Sequence, residues 1–139
     1  MLLNKRQHKT LEQIGHKYGL HLLLLFGSAV SGKVHAGSDI DIAALFPTLK
    51  EGREKIIDLA VDLQEVFPDR EVDVALLNGA DPLFLKKILE NRELVYGEPR
   101  RLAELEMYAY KRYIDHKRFL KLEQEYVHNL LKRMKKGAA

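Results

Sequence analysis

The chain has 139 residues, of which 46% are hydrophobic and 31% are charged, and it contains no cysteine. This length suits one folded domain, the hydrophobic content excludes general disorder, and the missing cysteine excludes disulfides, zinc-thiolate sites and cysteine nucleophiles. The longest apolar run, Leu22–Phe26, is far shorter than the about 20 residues that cross a bilayer, and the first ten residues lack a signal-peptide pattern. We therefore expect a cytoplasmic protein without a membrane partner.

The positive charge is concentrated near the end of the chain. Residues 1–99 have a net charge of −3, whereas residues 100–139 carry 11 Lys and Arg against 5 Asp and Glu, a net charge of +6. Such a block can attract nucleic acid or an acidic protein surface, but a long solvated helix often has the same composition. We favour the solvated or protein-binding interpretation over a nucleic-acid partner.

The first elements in chain order are a helix, a strand and a loop. Apolar residues at helical spacing predict a helix over about residues 4–18. The continuous apolar run 21–26 is typical of a buried strand, and the small and polar residues of 29–38 indicate a loop with at most one helical turn. The strand therefore runs directly into the dipeptide Gly27-Ser28.

Strand and helix patterns alternate along the rest of the chain. Strands are predicted at 39–46, 71–77 and, as a short edge strand, 93–96; helices are predicted at 48–67, 81–91 and, as one or two long segments, 98–136. This order predicts an α/β fold with a small mixed sheet flanked by helices and a long C-terminal helical segment. We expect one domain over 1–139, with a core at about 1–97 and a helical extension at 98–136.

Two carboxylates open the strand predicted at 39–46. Residues two apart on a strand project to the same face with Cα atoms roughly 6.5 Å apart, so Asp39 and Asp41 should converge while the isoleucines beside them face the core. Converging carboxylates repel each other unless a divalent cation lies between them, and hard oxygen ligands suit Mg²⁺ or Mn²⁺. If the strand at 71–77 lies beside this one, Asp73 reaches the same place, and three carboxylates can hold two ions for phosphoryl or nucleotidyl transfer.

The dipeptide Gly27-Ser28 supplies the features of a phosphate site. A glycine after a buried strand lets the backbone approach a ligand, and N–H groups at a following helical turn, together with the serine hydroxyl, can bind phosphate oxygens. Lys33, in the loop between the two motifs, is a candidate phosphate contact, although a solvated surface lysine has the same pattern. Together the two motifs predict a nucleoside triphosphate bound with a metal ion.

The order of these residues resembles a known family. The pattern is Gly27-Ser28, followed after ten residues by Asp39-Ile40-Asp41 and later by Asp73. It is similar to the minimal nucleotidyltransferases of the polymerase-beta superfamily, and specifically to the antitoxins encoded beside HEPN-domain toxins. The resemblance covers about residues 20–80 and implies a polymerase-beta-like nucleotidyltransferase fold.

The resemblance also implies a reaction and a partner. In that family the two aspartates bind Mg²⁺, the glycine and serine contact ATP phosphates, and AMP is passed to a tyrosine of the toxin, whose RNase activity is silenced. These roles would fall to Asp39 and Asp41 as metal ligands, to Asp73 as a further ligand or base, and to Gly27 and Ser28 as ATP contacts. Ser38, which directly precedes the first aspartate, joins Lys33 as a further cofactor-binding candidate. A hetero-oligomer with the toxin is the expected assembly.

Two other functions remain open at the level of the sequence. The chain could be an antitoxin that covers its toxin stoichiometrically without needing catalysis, or a basic nucleic-acid-binding module. The complete set of glycine, serine and aspartates argues against the first. Only the charge of the C-terminal segment favours the second.

Overall fold

The computed structural model describes residues 3–31 and 39–137, so the candidates Lys33 and Ser38 lie outside the described residues. Five helices and four strands make up this part of the chain. The bounds in chain order are α1 (Lys5–Lys17), β1 (Leu22–Phe26), α2 (Ser28–Ser31), β2 (Ile40–Leu45), α3 (Leu49–Val66), β3 (Val72–Leu76), α4 (Pro82–Glu90), β4 (Arg92–Gly97) and α5 (Pro99–Gly137). Each of these elements corresponds to a predicted one, and the single helical turn expected after the first strand is α2.

The strands form one mixed sheet in the order β3-β2-β1-β4. Strand β1 is antiparallel to both β2 and β4, whereas β2 and β3 are parallel. The parallel pair is connected through α3, as a parallel pair requires a crossover rather than a hairpin. The α/β fold with a small mixed sheet is therefore confirmed, and β4 lies on an edge as expected.

Helices cover both faces of this sheet. Leu23 and Leu25 face a core cluster that includes residues of α1 and α3, whereas Leu22 and Leu24 face a second cluster that includes residues of α4 and α5. A strand that is covered on both faces needs apolar side chains at every position, which explains why the sequence of β1 is apolar throughout. Ile40 is also fully buried, as predicted for the residue between the two aspartates.

Local signals set where the helices begin. The Asn4 side chain accepts a hydrogen bond from the Gln7 N–H, while the Gln7 side chain accepts one from the Asn4 N–H, which is a capping box. The Asp81 side chain accepts from Leu83 N–H, and Pro82 occupies the first turn of α4, as the sequence predicts.

The C-terminal segment is one helix rather than two. Leu102, Leu105 and Ala109 of α5 are buried in the second core cluster, and every residue from 117 to 137 is exposed. The described part of the chain includes no helix long and apolar enough to span a bilayer.

Candidate functional site

The three aspartates converge at one end of the sheet. Asp41 is paired in register with Asp73 across the parallel strands β2 and β3, and Asp39 directly precedes β2. Residues in register on neighbouring strands project to the same face of a sheet, which places the Asp41 and Asp73 carboxylates side by side. The predicted pairing of the two strands that carry these aspartates is therefore confirmed. Asp39 and Asp73 are exposed, and Asp41 is half-buried.

The surroundings of Asp41 perturb its carboxyl group. Partial burial raises the pKa of the Asp41 carboxyl above its ordinary value, and the negative charges of Asp73 and then Asp39 raise that pKa further. Both causes act in the same direction, because burial and neighbouring negative charge each disfavour the ionised carboxylate. A carboxyl whose pKa is shifted by burial and by specific neighbouring charges is a recurrent feature of functional sites.

The donor set fits a hard divalent cation. No three His, Cys, Asp or Glu side chains among residues 3–31 and 39–137 are arranged to enclose a metal ion by themselves. Mg²⁺, however, is usually held by only one or two carboxylates, with waters and substrate phosphates as its other ligands. Asp39, Asp41 and Asp73 offer carboxylate oxygens at one end of the sheet, and such oxygens are the kind of donor that Mg²⁺ or Mn²⁺ prefers.

Gly27 lies directly against the carboxylate of Asp41. Phe26, the last residue of β1, is the register partner of Asp41, and the chain then turns at Gly27 with a φ of 66°. A Cβ atom on Gly27 would lie 2.7 Å from Asp41 Oδ2, closer than real side chains approach. Glycine is therefore required here both for the left-handed backbone and for the close approach.

The helical turn α2 begins immediately after this glycine. The Val30 N–H donates to the Gly27 carbonyl at 3.1 Å, which closes the turn. Ser28 is the first residue of α2 and is partly exposed. The structure thus brings Gly27 and Ser28 next to Asp41, as the sequence motif predicts.

Asn91 holds the same turn from the opposite side, a contact that sequence reasoning missed. The Asn91 side-chain amide donates to the Gly27 carbonyl, and the Gly27 N–H donates to the Asn91 carbonyl, both at 3.3 Å. The two residues are 64 positions apart, and no local pattern around Asn91 indicates the pairing. Only the antiparallel alignment of β4 with β1 brings them together.

Arg92 is a second residue that the motif does not include. It pairs with Phe26, which in turn pairs with Asp41, so Arg92 shares a sheet face with the carboxylates, two strands away. Its guanidinium donates from Nε and Nη2 to Glu106 Oε1 of α5. The partners are 36% and 38% exposed, so the pair mainly fixes where α5 crosses the sheet and adds little to stability.

A concave region of about 640 Å³ lies elsewhere, between α1 and α3. Two of its charged residues already pair with each other, since Lys17 Nζ donates to Asp62 Oδ2 at 2.7 Å. The Tyr18 hydroxyl donates to the same oxygen at 2.6 Å. Size alone therefore does not make this groove the functional site, and the aspartate cluster remains the stronger candidate.

Comparison with known proteins agrees with this geometry. The model of the family described as "Polymerase beta, Nucleotidyltransferase" matches residues 9–101, which is more than half of the chain. No protein with curated function matches at a significant level.

Among solved structures, 16 chains match significantly. A chain from a crystal structure of a toxin–antitoxin with AMP-PNP has a TM-score of 0.67 and 23% identity, covering 90% of this chain and 98% of that chain. A chain from the toxin–antitoxin MntA-HepT has a TM-score of 0.62 and 20% identity, with coverages of 93% and 99%. A chain from the complex of a tri-AMPylated Shewanella oneidensis HEPN toxin with an MNT antitoxin has a TM-score of 0.60 and 18% identity, with coverages of 94% and 99%.

At these identities the solved structures establish the fold, and the family match over residues 9–101 includes Gly27, Ser28 and all three aspartates. The chain therefore belongs to the polymerase beta nucleotidyltransferase family.

Proposed function

We propose that the chain is an antitoxin that transfers AMP from ATP to a tyrosine hydroxyl of a HEPN-type RNase toxin and thereby neutralises it. The observation that carries this proposal is the convergence of Asp39, Asp41 and Asp73 beside the Gly27 turn. Membership of the nucleotidyltransferase family supports the reaction class. A structurally similar chain comes from a complex with a tri-AMPylated HEPN toxin, and another from a complex with AMP-PNP, which supports the acceptor and the nucleotide.

Asp39 and Asp41 would hold Mg²⁺, or Mn²⁺, which when bound neutralises phosphate charge and supports departure of the leaving group. The acceptor oxygen forms a bond to the α-phosphorus, and the bond between the α-phosphorus and the bridging oxygen breaks, so that pyrophosphate leaves. The proton of the acceptor hydroxyl passes to a carboxylate, for which the exposed Asp73 is the candidate. Asp73 is otherwise a third metal ligand.

The Gly27 turn would bind the triphosphate. Because Gly27 has no side chain, phosphate oxygens can approach the backbone next to Asp41. The Ser28 hydroxyl would contact the same group, and Lys33 and Ser38 are further phosphate contacts proposed from the sequence alone.

The decisive experiment identifies the protein encoded beside this chain, expected to be of the HEPN type, and tests transfer of AMP to it. The purified pair is incubated with Mg²⁺ and ATP, and intact-mass spectrometry followed by peptide mapping measures AMP on the partner. We expect one or more AMP units on a tyrosine, and none when Asp39 and Asp41 are both replaced by asparagine or when EDTA is present.

Three outcomes would contradict the proposal. AMP on RNA with an unmodified partner indicates another kind of nucleotidyltransferase. If the Asp39→Asn/Asp41→Asn variant still neutralises the RNase as well as the wild type, the chain is a stoichiometric antitoxin. A partner that neither binds nor is modified excludes the antitoxin role altogether.

A further inference from the structure

The distal segment of α5, residues 117–137, has no tertiary packing within the described part of the chain. All 21 of its residues are exposed, in contrast to Leu102, Leu105 and Ala109 near the start of the same helix. At a rise of about 1.5 Å per residue the segment is roughly 31 Å long. Most of the stability of a protein helix comes from packing of its apolar face, so a segment without such packing gains from a surface that covers it.

One side of the distal segment is apolar. Leu120, Val127, Leu131 and Met134 recur at spacings of seven, four and three residues and therefore lie along one row of the helix. Leu131 is 58% exposed and Met134 is 63% exposed. A second row lies beside the first and consists of Phe119, Tyr126 and Leu130. Contiguous exposed apolar patches of this kind mark interaction surfaces.

The charge of the distal segment favours an acidic occupant. It contains seven Lys and Arg against Glu123 and Glu125, a net charge of +5. A second copy of this segment would bring two such charges together, which opposes self-association. RNA would satisfy the basic residues but would leave the apolar rows in water. A protein surface that offers apolar side chains flanked by carboxylates matches both the basic residues and the apolar rows of the distal segment.

The distal segment also lies near the candidate site along α5. Glu106 contacts Arg92, whose strand partner Phe26 immediately precedes Gly27. Residue 117 follows Glu106 by 11 positions, which is about 16 Å along the helix axis. The distal segment therefore runs from about 16 Å to about 46 Å along α5 from Glu106, and a protein that covers it from its near end is tethered to the domain that carries the aspartate cluster.

We propose that the apolar rows of the distal segment are the docking surface for the acceptor protein, which binds them through a surface of apolar side chains flanked by carboxylates. The identity of this partner as the HEPN-type toxin rests on the proposed function. The distal segment binds the acceptor and raises its local concentration at the site, while Asp39, Asp41 and Asp73 carry out the transfer.

Two variants of the full chain with the same change in net charge test this assignment. The double substitution Val127→Asp/Leu130→Asp places two charges in the apolar rows, whereas Lys132→Asp changes the charge by the same amount on the opposite side of the helix. Binding to the HEPN-type protein encoded beside the chain is measured by calorimetry, and folding by circular dichroism. We expect the double variant to bind about 100-fold more weakly, because two buried side chains are lost, and Lys132→Asp to bind within about fivefold of the wild type.

Association kinetics supply a second readout. Between about 50 and 300 mM NaCl the wild-type association rate should fall about tenfold, because the basic segment attracts an acidic surface. Binding of the double variant within twofold of the wild type would overturn the proposal. Analytical ultracentrifugation tests whether the occupant is a second copy of the chain. Dimerisation of the wild type that is lost in the double variant would also overturn the proposal. Binding of single-stranded RNA that the double variant abolishes, with partner affinity unchanged in that variant, would make RNA the occupant instead.

Failure of docking and failure of the proposed function remain distinguishable. If AMP is transferred to the partner and the double variant has unchanged affinity and an unchanged KM for the partner, only the docking surface is wrong. If the wild type binds the partner through the distal segment but transfers no AMP, the docking surface stands and the proposed function is wrong.

Discussion

At the residue scale, the Gly27 turn lies directly against the carboxylate of Asp41, so the proposed phosphate site adjoins the proposed metal ligand. A side chain on Gly27 would meet Asp41 Oδ2 at 2.7 Å, so the backbone turn and the carboxylate occupy adjoining space. Gly19 has a similar left-handed backbone, with a φ of 62°, but a Cβ there would meet nothing within 4 Å. The chain thus contains a matched control for the backbone strain at Gly27.

We predict that Gly27→Ala and Gly19→Ala lower the free energy of unfolding to a similar extent, by about 1–2 kcal/mol, because alanine is strained in the left-handed region. Only Gly27→Ala should also lower AMP transfer, by about 10² or more, since displacing a reacting group by about 1 Å has that effect. Denaturant unfolding and transfer kinetics on both variants measure the two quantities. Equal transfer rates would show that the contact with Asp41 has no part in the reaction.

Asp41 also allows a test of metal binding that is independent of transfer. Because Asp73 and Asp39 oppose the charged form of Asp41, Asp41→Asn removes repulsion from the ligand-free fold. We predict a melting temperature at neutral pH at least as high as that of the wild type. Added Mg²⁺ should raise the melting temperature of the wild type and leave that of Asp41→Asn unchanged, since a ligand stabilises only the state that binds it. An equal Mg²⁺ effect on both proteins would remove Asp41 from the metal site.

At the scale of elements, a hydrogen-bond cluster joins α1 to α3 on the side of the sheet away from α5. The Tyr18 hydroxyl and Lys17 Nζ both donate to Asp62 Oδ2. The bond from Lys17 and then the bond from Tyr18 hold the pKa of the Asp62 carboxyl below its ordinary value. Lys17 is 63% exposed, so the bond from the buried Tyr18 is the more important of the two for stability.

Tyr18→Phe should therefore have a cost that depends on pH. A carboxyl whose pKa is lower in the folded than in the unfolded state contributes stability above its unfolded pKa, and this contribution is lost as the pH falls through the folded value. We predict a loss of about 1 kcal/mol of unfolding free energy at pH 7 that shrinks below about pH 4. Urea unfolding across this pH range tests it. A loss that is constant with pH would mean that packing, rather than the bond to Asp62, accounts for the effect.

At the scale of the whole molecule, α5 has two parts with different roles in folding. The part that contains Leu102, Leu105 and Ala109 closes the second core cluster over β1, whereas residues 117–137 are exposed throughout. The proposed division into a core at about 1–97 and an extension at 98–136 stays a proposal. A cut after Gly97 would nevertheless remove three buried side chains from the cluster.

Two truncations test this difference. A chain ending at His116 should melt within a few degrees of the full chain, because every residue of 117–137 that it loses is exposed, and it should lose affinity for the partner. A chain ending at Gly97 should melt far lower or fail to fold, because each deleted buried leucine contributes about 2–5 kcal/mol. Thermal melts followed by circular dichroism measure both. Similar melting of the two truncated chains would show that α5 is dispensable for the core.

The fold could be predicted from the sequence to a large extent because its signals are local. The apolar run of β1, the cap and proline that begin α4, and the glycine after Phe26 each indicate an element or its end through neighbouring residues alone. The two-residue spacing of Asp39 and Asp41 likewise follows from the geometry of any strand. The sequence by itself therefore determined the order of the elements and which chemical groups share a strand.

Only the tertiary structure decided which distant groups meet. The register of β3 against β2 places Asp73 beside Asp41, and a shift of one residue would turn Asp73 to the other face of the sheet. The pairing of β4 with β1 brings Asn91 to Gly27 across 64 positions. Periodicity also cannot tell the packed start of α5 from its exposed distal segment, because both are amphipathic and only the extent of the sheet decides which turns are covered.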